Sequence, residues 1–355
     1  MKRSLGPVAA VLLTLWSAVA SAVAPPVSAQ DAAPTGSLPK GVTRSPDGRR
    51  LYVTHYGLVD RNNIGVFDAV TLKPLGALSV PGVVVETAMA RDGHTLYASN
   101  FTRGTVQFID LPSGKVTREV KTGAHPKILV VSRDGHRLFA ANWGDESVAE
   151  VDPRSGAVLR TLRTGKNPRG MAITRAGRLY VANFNGASLD VFDGPSLGHS
   201  SRLSDMCKFP RHLVLSPDDR QLYVSCLLAN EILVLDTRSN KLLRRVKVGR
   251  FPKAIDVTPD GRYLVTADYR GSTTTVVDTR DWTTRTLDVP GMDGASGVVV
   301  APTKRGELRY FVTGWYDNHL YAVGTAGHGR RYEVDAATAS LTLMRRRYHL
   351  KHPVE

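Results

Sequence analysis

The sequence predicts an all-β fold, a seven-bladed β-propeller with four antiparallel strands per blade. Three observations predict it. A turn of the Ser-Pro-Asp-Gly type followed by a Leu-Tyr-Val strand recurs along the chain. The recurrence has a period of 41–46 residues. Each period also holds four short strand-like segments bounded by Gly, Asp and Pro. A repeat of 40–50 residues built this way is one propeller blade, which buries its faces only by stacking on its neighbours.

The copies read SPDGRRLYV (Ser45–Val53), ARDGHTLYA (Ala90–Ala98), SRDGHRLFA (Ser132–Ala140), TRAGRLYV (Thr174–Val181), SPDDRQLYV (Ser216–Val224) and TPDGRYLVT (Thr258–Thr266). A degenerate seventh copy with an expanded turn ends in YFVT (Tyr310–Thr313). The strand before each turn is mostly apolar, as in PKILVV at 126–131, and is expected to line the axis. The strand after it is rich in Tyr, Val and Ala. A third strand ends at Asp68, Asp110, Asp152, Asp193, Asp236 or Asp278, and a polar fourth, such as Val158–Arg163 or Leu242–Val248, faces solvent. The outer strand of the seventh blade is assigned to Arg330–Val334.

These repeats resemble the YVTN family of seven-bladed propellers, on the strength of the Ser-Pro-Asp-Gly turns and of YVTH at 52–55, YASN at 97–100 and YVAN at 180–183. The resemblance covers roughly residues 36 to 330. It implies a periplasmic or surface protein that binds single-stranded DNA or surface partners, with lactonase-type propellers among its relatives.

Around the repeats, residues 1–29 read as a signal peptide. Lys2 and Arg3 precede an apolar run from Val8 to Val23, and Val27-Ser28-Ala29 offers a cleavage site. Residues 30–35 are a short N-terminal segment, 36–335 the propeller and 336–355 a basic tail. No later apolar run is long enough to span a bilayer, so no integral membrane segment is expected in the mature chain, and the protein is expected in the periplasm or outside the cell. The formal charge of +15 falls by two, to +13, without the leader, which holds no acid. A charge of this size favours anionic partners.

The repeated aspartates in the two tight turns of each blade are read as structural, since short carboxylates there accept backbone N–H bonds. Function is placed instead at the opposite, top face, where two rings align. Lys40, Lys127, Arg169, Arg211 and Lys253 follow Pro or begin its strand in five blades, with Val85 and Ser296 in the other two. Tyr56, Phe101, Trp143, Phe184, Leu227, Tyr269 and Tyr316 follow the second strand. Cations alternating with aromatics stack on bases or sugars while holding acidic groups. Cys207 and Cys226 flank a top-face hairpin of blade five and are expected to form a disulfide, as suits an exported protein.

The chain therefore reads as a binding or scaffolding module, a monomer or part of an envelope complex. Its top face meets an anionic macromolecule (nucleic acid or acidic polysaccharide) or an acidic protein partner, and no cofactor is expected. The competing class is a lactonase-like hydrolase at the channel mouth, with His55 and Asp268 foremost among His55, Glu86, His125, His212, Asp268, Asp293, Asp317 and His319. None of these forms a spaced catalytic signature, and no metal site is expected.

Overall fold

In the computed structural model, described over residues 28–194, 196–303 and 307–324, the chain forms seven four-stranded antiparallel sheets. Their innermost strands are Pro39–Arg44, Val84–Met89, Pro126–Val131, Pro168–Ile173, Pro210–Leu215, Pro252–Val257 and Ala295–Val300. Six sheets run in chain order from the axis outward. The seventh is closed by the N-terminal strand Ser28–Pro34, which pairs antiparallel with His319–Gly324.

That closure changes the expected boundaries. Residues 30–35 are not a segment ahead of the propeller, because 30–34 complete its last blade and cover an edge that would otherwise be open. Ser28 and Ala29, assigned to the leader, pair with Gly324 and Val323. Residues 1–27, Arg330–Val334 and the tail 336–355 lie outside the described residues.

Seven apolar clusters hold the ring together, one between each pair of neighbouring blades. Between blades seven and one, for example, Leu51, Val53 and Phe67 meet Phe311, Leu320 and Ala322. The middle two strands of each blade are buried almost throughout, whereas outer strands such as Leu242–Lys247 are exposed at every position but Val246. This is the burial expected of sheets stacked face to face with polar rims.

The turn aspartates are satisfied within their own turns. Asp134 accepts bonds from Ser132 Oγ and His136 N, and Asp218 and Asp260 repeat the pattern. Asp68, Asp152 and Asp236 do the same between the third and fourth strands.

All seven innermost strands carry a register shift at one place, between their first residue and the third or fourth. A bulge adds one residue to a strand and re-aims a side chain. Here the residue displaced is the one at the cation position. The N–H that the bulge takes from the ladder goes to a hydroxyl of the second strand: Gly41 N to Thr54, Glu86 N to Ser99, His212 N to Ser225 and Gly297 N to Thr313. Thr54 and Thr313 also donate to carbonyls of the next blade, at Val85 and Lys40, and so stitch neighbouring blades at the mouth.

Candidate anion-binding funnel

The bulges gather Lys40, Lys127, Arg169, Arg211 and Lys253 at the mouth of the axial channel, where each is only 3–9% exposed. The residue before each Pro-cation pair (Leu38, His125, Asn167, Phe209 and Phe251) has a φ of 53–59°, a left-handed conformation that costs a non-glycine residue energy. Its carbonyl accepts the N–H of the residue that follows the second strand: Tyr56, Trp143, Phe184, Leu227 and Tyr269 in turn. This bond sets the cation beside the residue that follows the second strand, an aromatic in four of these five blades.

In the seventh blade the same bond runs from Trp315 N to Gly294 O. The ring member there is Trp315, not Tyr316 as the sequence alignment placed it. The second strand of that blade ends at Gly314, one residue earlier than the expanded turn suggested. Tyr316 still reaches the mouth, with its hydroxyl 2.6 Å from that of Tyr269.

The cations sit against the aromatic faces. Lys127 Nζ lies 3.8 Å from the Trp143 ring centre and 5.5 Å from that of Phe101. Arg169 lies 5.6 Å from Trp143 and 5.7 Å from Phe184. Lys253 is between Tyr269 at 3.9 Å and Trp315 at 4.3 Å, and Lys40 between Tyr56 at 4.7 Å and Trp315 at 5.9 Å. Desolvated contacts of this kind are worth about 2 kcal/mol each. Blade five interrupts the pattern: its aromatic position is Leu227, and Arg211 Nε donates to Lys253 O at 2.9 Å.

Below the ring is a cavity of about 340 Å³. Lys40, Glu86, Arg169, Arg211, Lys253 and Ser296 line its upper part. Arg44 and Asp256 line it farther along their strands, and Arg133 of blade three spans blade four to reach Asp219 of blade five at 2.7 Å. Asp256 is pushed up to about 6 by burial, against backbone bonds from Val257 and Val300 and the pull of Arg44.

Glu86 keeps an accessible edge on the channel but is otherwise surrounded by protein. Burial pushes its carboxyl up, against the pull of Lys40, Arg169, Arg211 and Lys253. Burial also pushes the Lys253 ammonium well down, helped by Arg211, Lys40 and Arg169 and opposed by Glu86. His212 falls to about 4, through burial and then the charges of Arg211 and Arg169, so it is neutral at ordinary pH. The throat thus brings basic side chains close together away from water, with the Glu86 carboxyl beside them.

The other sequence candidates are engaged elsewhere. His55 uses both ring nitrogens, on Asn62 O and Gly36 N, and so ties the end of the closing strand to blade one. Asp268 is fully buried under the hydroxyls of Thr266, Thr273 and Thr275 and is pushed up to about 6. His125 stacks on Phe101 at 4.4 Å. Asp293, Asp317 and His319 bond among themselves in blade seven. Among the described residues, no group of three or more His, Cys, Asp or Glu could hold a metal ion. Sequence reasoning missed Trp315 and also Phe209, which packs on Phe184 at 4.8 Å. Its place before Pro210 was the available signal.

Cys207 and Cys226 form a disulfide. In blades three, four and six the equivalent pair is a glycine against an amide or acid: a Cβ added to Gly123, Gly165 or Gly249 would collide with Asn142, Asn183 or Asp268. Blade five turns that close approach into a covalent bond.

Comparison with known proteins agrees with this architecture. The family described as "Lactonase, 7-bladed beta-propeller" matches residues 210–300. Antigen Lp49 of Leptospira interrogans serovar copenhageni is 29% identical over 106 residues, which is 26% of this chain and 23% of that protein, so the chain matches about a quarter of its relative's length. A solved chain of Kuenenia stuttgartiensis hydrazine synthase superposes with a TM-score of 0.71 at 18% identity, over 84% of this chain and 96% of the other. Among the described residues no helix is long and apolar enough to cross a membrane. The blade count, the sheet order and these likenesses place the chain among the seven-bladed β-propellers.

Proposed function

We propose that this chain is an exported binding module of the YVTN type, whose top funnel holds acidic groups of an anionic polymer (single-stranded nucleic acid or acidic polysaccharide) or of an acidic protein partner. The observation that carries this reading is the convergence of five basic side chains, each nine-tenths or more buried, on one mouth of the channel. Basic side chains gathered at this density draw an incoming anion to the mouth. The Tyr, Trp and Phe faces between them add stacking area for bases or sugars. The disulfide suits an oxidising compartment.

The test is binding of the mature protein to a short single-stranded DNA and to an anionic polysaccharide across a salt series, beside Arg169→Ser/Arg211→Ser. Binding that weakens with salt and is lost in the variant supports the funnel. Binding of equal strength in the variant removes it from consideration.

A lactonase-type hydrolase is the second reading, favoured by the family match over blades five and six. His55 and Asp268 are poor agents for it, being bonded into the frame. His212 and Glu86, which face the cavity, are the groups left for that chemistry. Proton release on adding a simple lactone, lost in His212→Ala, is its test.

A further inference from the structure

Every blade ends in an outer strand that pairs on one side only, and such an edge is a template for another chain unless something blunts it. Charge is the device used around this ring. Lys115–Lys121, Val158–Arg163, Gly198–Leu203, Leu242–Lys247 and Thr284–Asp288 each carry at least one Arg or Lys, and Ser28–Pro34 carries Asp31. Blade one breaks the rule. Its outer strand, Pro74–Leu78, reads PLGAL, and no charged residue occurs between Lys73 and Glu86. The strand is exposed from Pro74 to Ala77.

Apolar exposure singles out the same blade once the blades are compared. Leu75, Leu159 and Leu243 are each the extra residue of a bulge, in the outer strands of blades one, three and five, and are 50%, 52% and 54% exposed. In blades three and five the next residue is Arg160 or Arg244. In blade one it is Gly76, where an added Cβ would meet no atom within 4 Å, and Ala77 follows. Val70, at 65% the most exposed large apolar side chain among the described residues, sits in the turn that leads into this strand. That turn is held from both sides: Arg309 of blade seven donates to Val70 O at 2.8 Å, and Asp68 accepts from the N–H groups of Val70 and Thr71. At the other end Asn63 bonds both the N–H and the carbonyl of Val80. The edge is therefore presented on a fixed frame.

We infer that this edge is where two copies of the chain meet, each adding its blade-one outer strand antiparallel to the other's across a two-fold axis. The argument is electrostatic. A chain with a formal charge of +15 repels its copies, and outer strands that carry Arg, Lys or Asp would set like charges opposite one another. Pro74–Leu78 is the one outer strand among the described residues that brings no charge to such a seam. In a two-fold contact the same surface meets itself, so an uncharged strand suits it and a charged one does not. Pro74 and the bulge at Leu75 blunt the first end of the strand, which leaves Gly76 onward for pairing. Leu75 and Val70 of each copy then flank the seam. So short a ladder with two apolar side chains from each copy buries less than the ~1,200 Å² of stable complexes, so the dimer is weak and reversible.

The experiment is sedimentation velocity of the mature protein from about 1 µM to about 300 µM, a range that suits a weak contact. Wild type is compared with Ala77→Lys, Ala77→Glu, Leu75→Lys and Leu159→Lys, and folding of each is checked by thermal unfolding. Wild type is expected to move from monomer toward dimer as concentration rises. Ala77→Lys and Leu75→Lys each set two cations at the seam and should raise the dimer Kd about tenfold or more. Leu159→Lys, the same change at the equivalent bulge of blade three, should leave it unaltered. Mixing Ala77→Lys with Ala77→Glu sets opposite charges at the seam and should restore association. Amide exchange at 76–79 should slow with concentration in wild type, with no such slowing at 160–163. Wild type that stays monomeric throughout overturns the proposal. So does a dimer that survives both Ala77→Lys and Leu75→Lys, or one that Leu159→Lys weakens equally. Amides at 76–79 that are protected at every concentration, and released when residues 326–355 are deleted, would assign the edge to the chain's own tail and overturn it as well.

Discussion

Two rings of repeated charge sit on opposite faces of this molecule, and they behave differently. On the turn face, Asp134 has its charge answered within two residues, by Ser132 Oγ and His136 N, and its carboxyl is held below the usual range by those bonds. On the mouth face, Lys253 is buried beside Arg211, Lys40 and Arg169, and its ammonium is pushed well down. Both rings come from the same duplication, so repetition alone does not separate structure from function. What separates them is whether the charge meets its partners inside its own turn or is gathered with its copies from other blades.

The largest effect expected from breaking this contrast is at the mouth. Arg169→Ser/Arg211→Ser should weaken polymer binding by about 100-fold or more, while thermal stability falls only by what the lost ring contacts and the Arg211–Lys253 bond contribute. Fluorescence anisotropy and a melting curve measure the two sides. A large fall in stability with no change in affinity would reassign the ring to the frame.

Next in size is the pedestal beneath the aromatic ring. Cys207 and Cys226, 19 residues apart, should contribute about 3 kcal/mol to stability, on the usual loop-closure argument. Reduction should lower the denaturant midpoint accordingly. Cys207→Gly/Cys226→Asn rebuilds the pair used at Gly123 and Asn142 and should recover part of the loss, whereas Cys207→Ser/Cys226→Ser should not. Equal losses in the two double variants would mean that the glycine–amide contact is not the equivalent of the bond.

Blade six gives a pH-dependent version of the same comparison. Asp268 stands where three blades have Asn, and burial pushes its carboxyl up to about 6. A group raised on folding contributes stability that is fully present below its unfolded value, near 3.8, and is lost as pH rises through about 6. Asp268→Asn should therefore stabilise the protein by about 3 kcal/mol at pH 8 and by almost nothing at pH 4. Chemical denaturation at the two pH values checks it; a gain of equal size at both would remove ionisation as the cause.

Much of this was legible from spacing. The turn motif set the period, Pro followed by Lys or Arg marked the mouth, and the alignment of Cys207 with glycines and of Cys226 with Asn183 located the disulfide. What was hidden lies in pairing between distant segments. Ser28–Pro34 has the sequence SAQDAAP, which has little strand propensity, and only its pairing with His319–Gly324 makes it a strand. The bulges have no composition of their own, being a mismatch of register between two strands. Trp315 was displaced by one residue because the expanded turn of blade seven removed the usual Asp-Gly reference point. Glu86 was visible as an acid near the mouth, but its four opposing cations come from Lys40, Arg169, Arg211 and Lys253, and no spacing brings these to one carboxylate.

The smallest expected effect tests the turn face. Asp134→Ala removes a carboxylate that accepts from Ser132 Oγ and His136 N, and it should cost about 1 kcal/mol of stability with no change in anion affinity. The pH dependence has the opposite sign to that of Asp268. Asp134 is held low on folding, so its contribution is present above the unfolded value and is lost as pH falls through the lower folded one. The difference between wild type and Asp134→Ala should accordingly be constant at neutral pH and shrink only in acid, below about pH 4. If Asp134→Ala instead lowered affinity for the polymer as strongly as loss of Arg169 and Arg211, the two faces would be coupled through the channel. The distinction between charge met inside its own turn and charge gathered from several blades would then no longer assign function to the mouth alone.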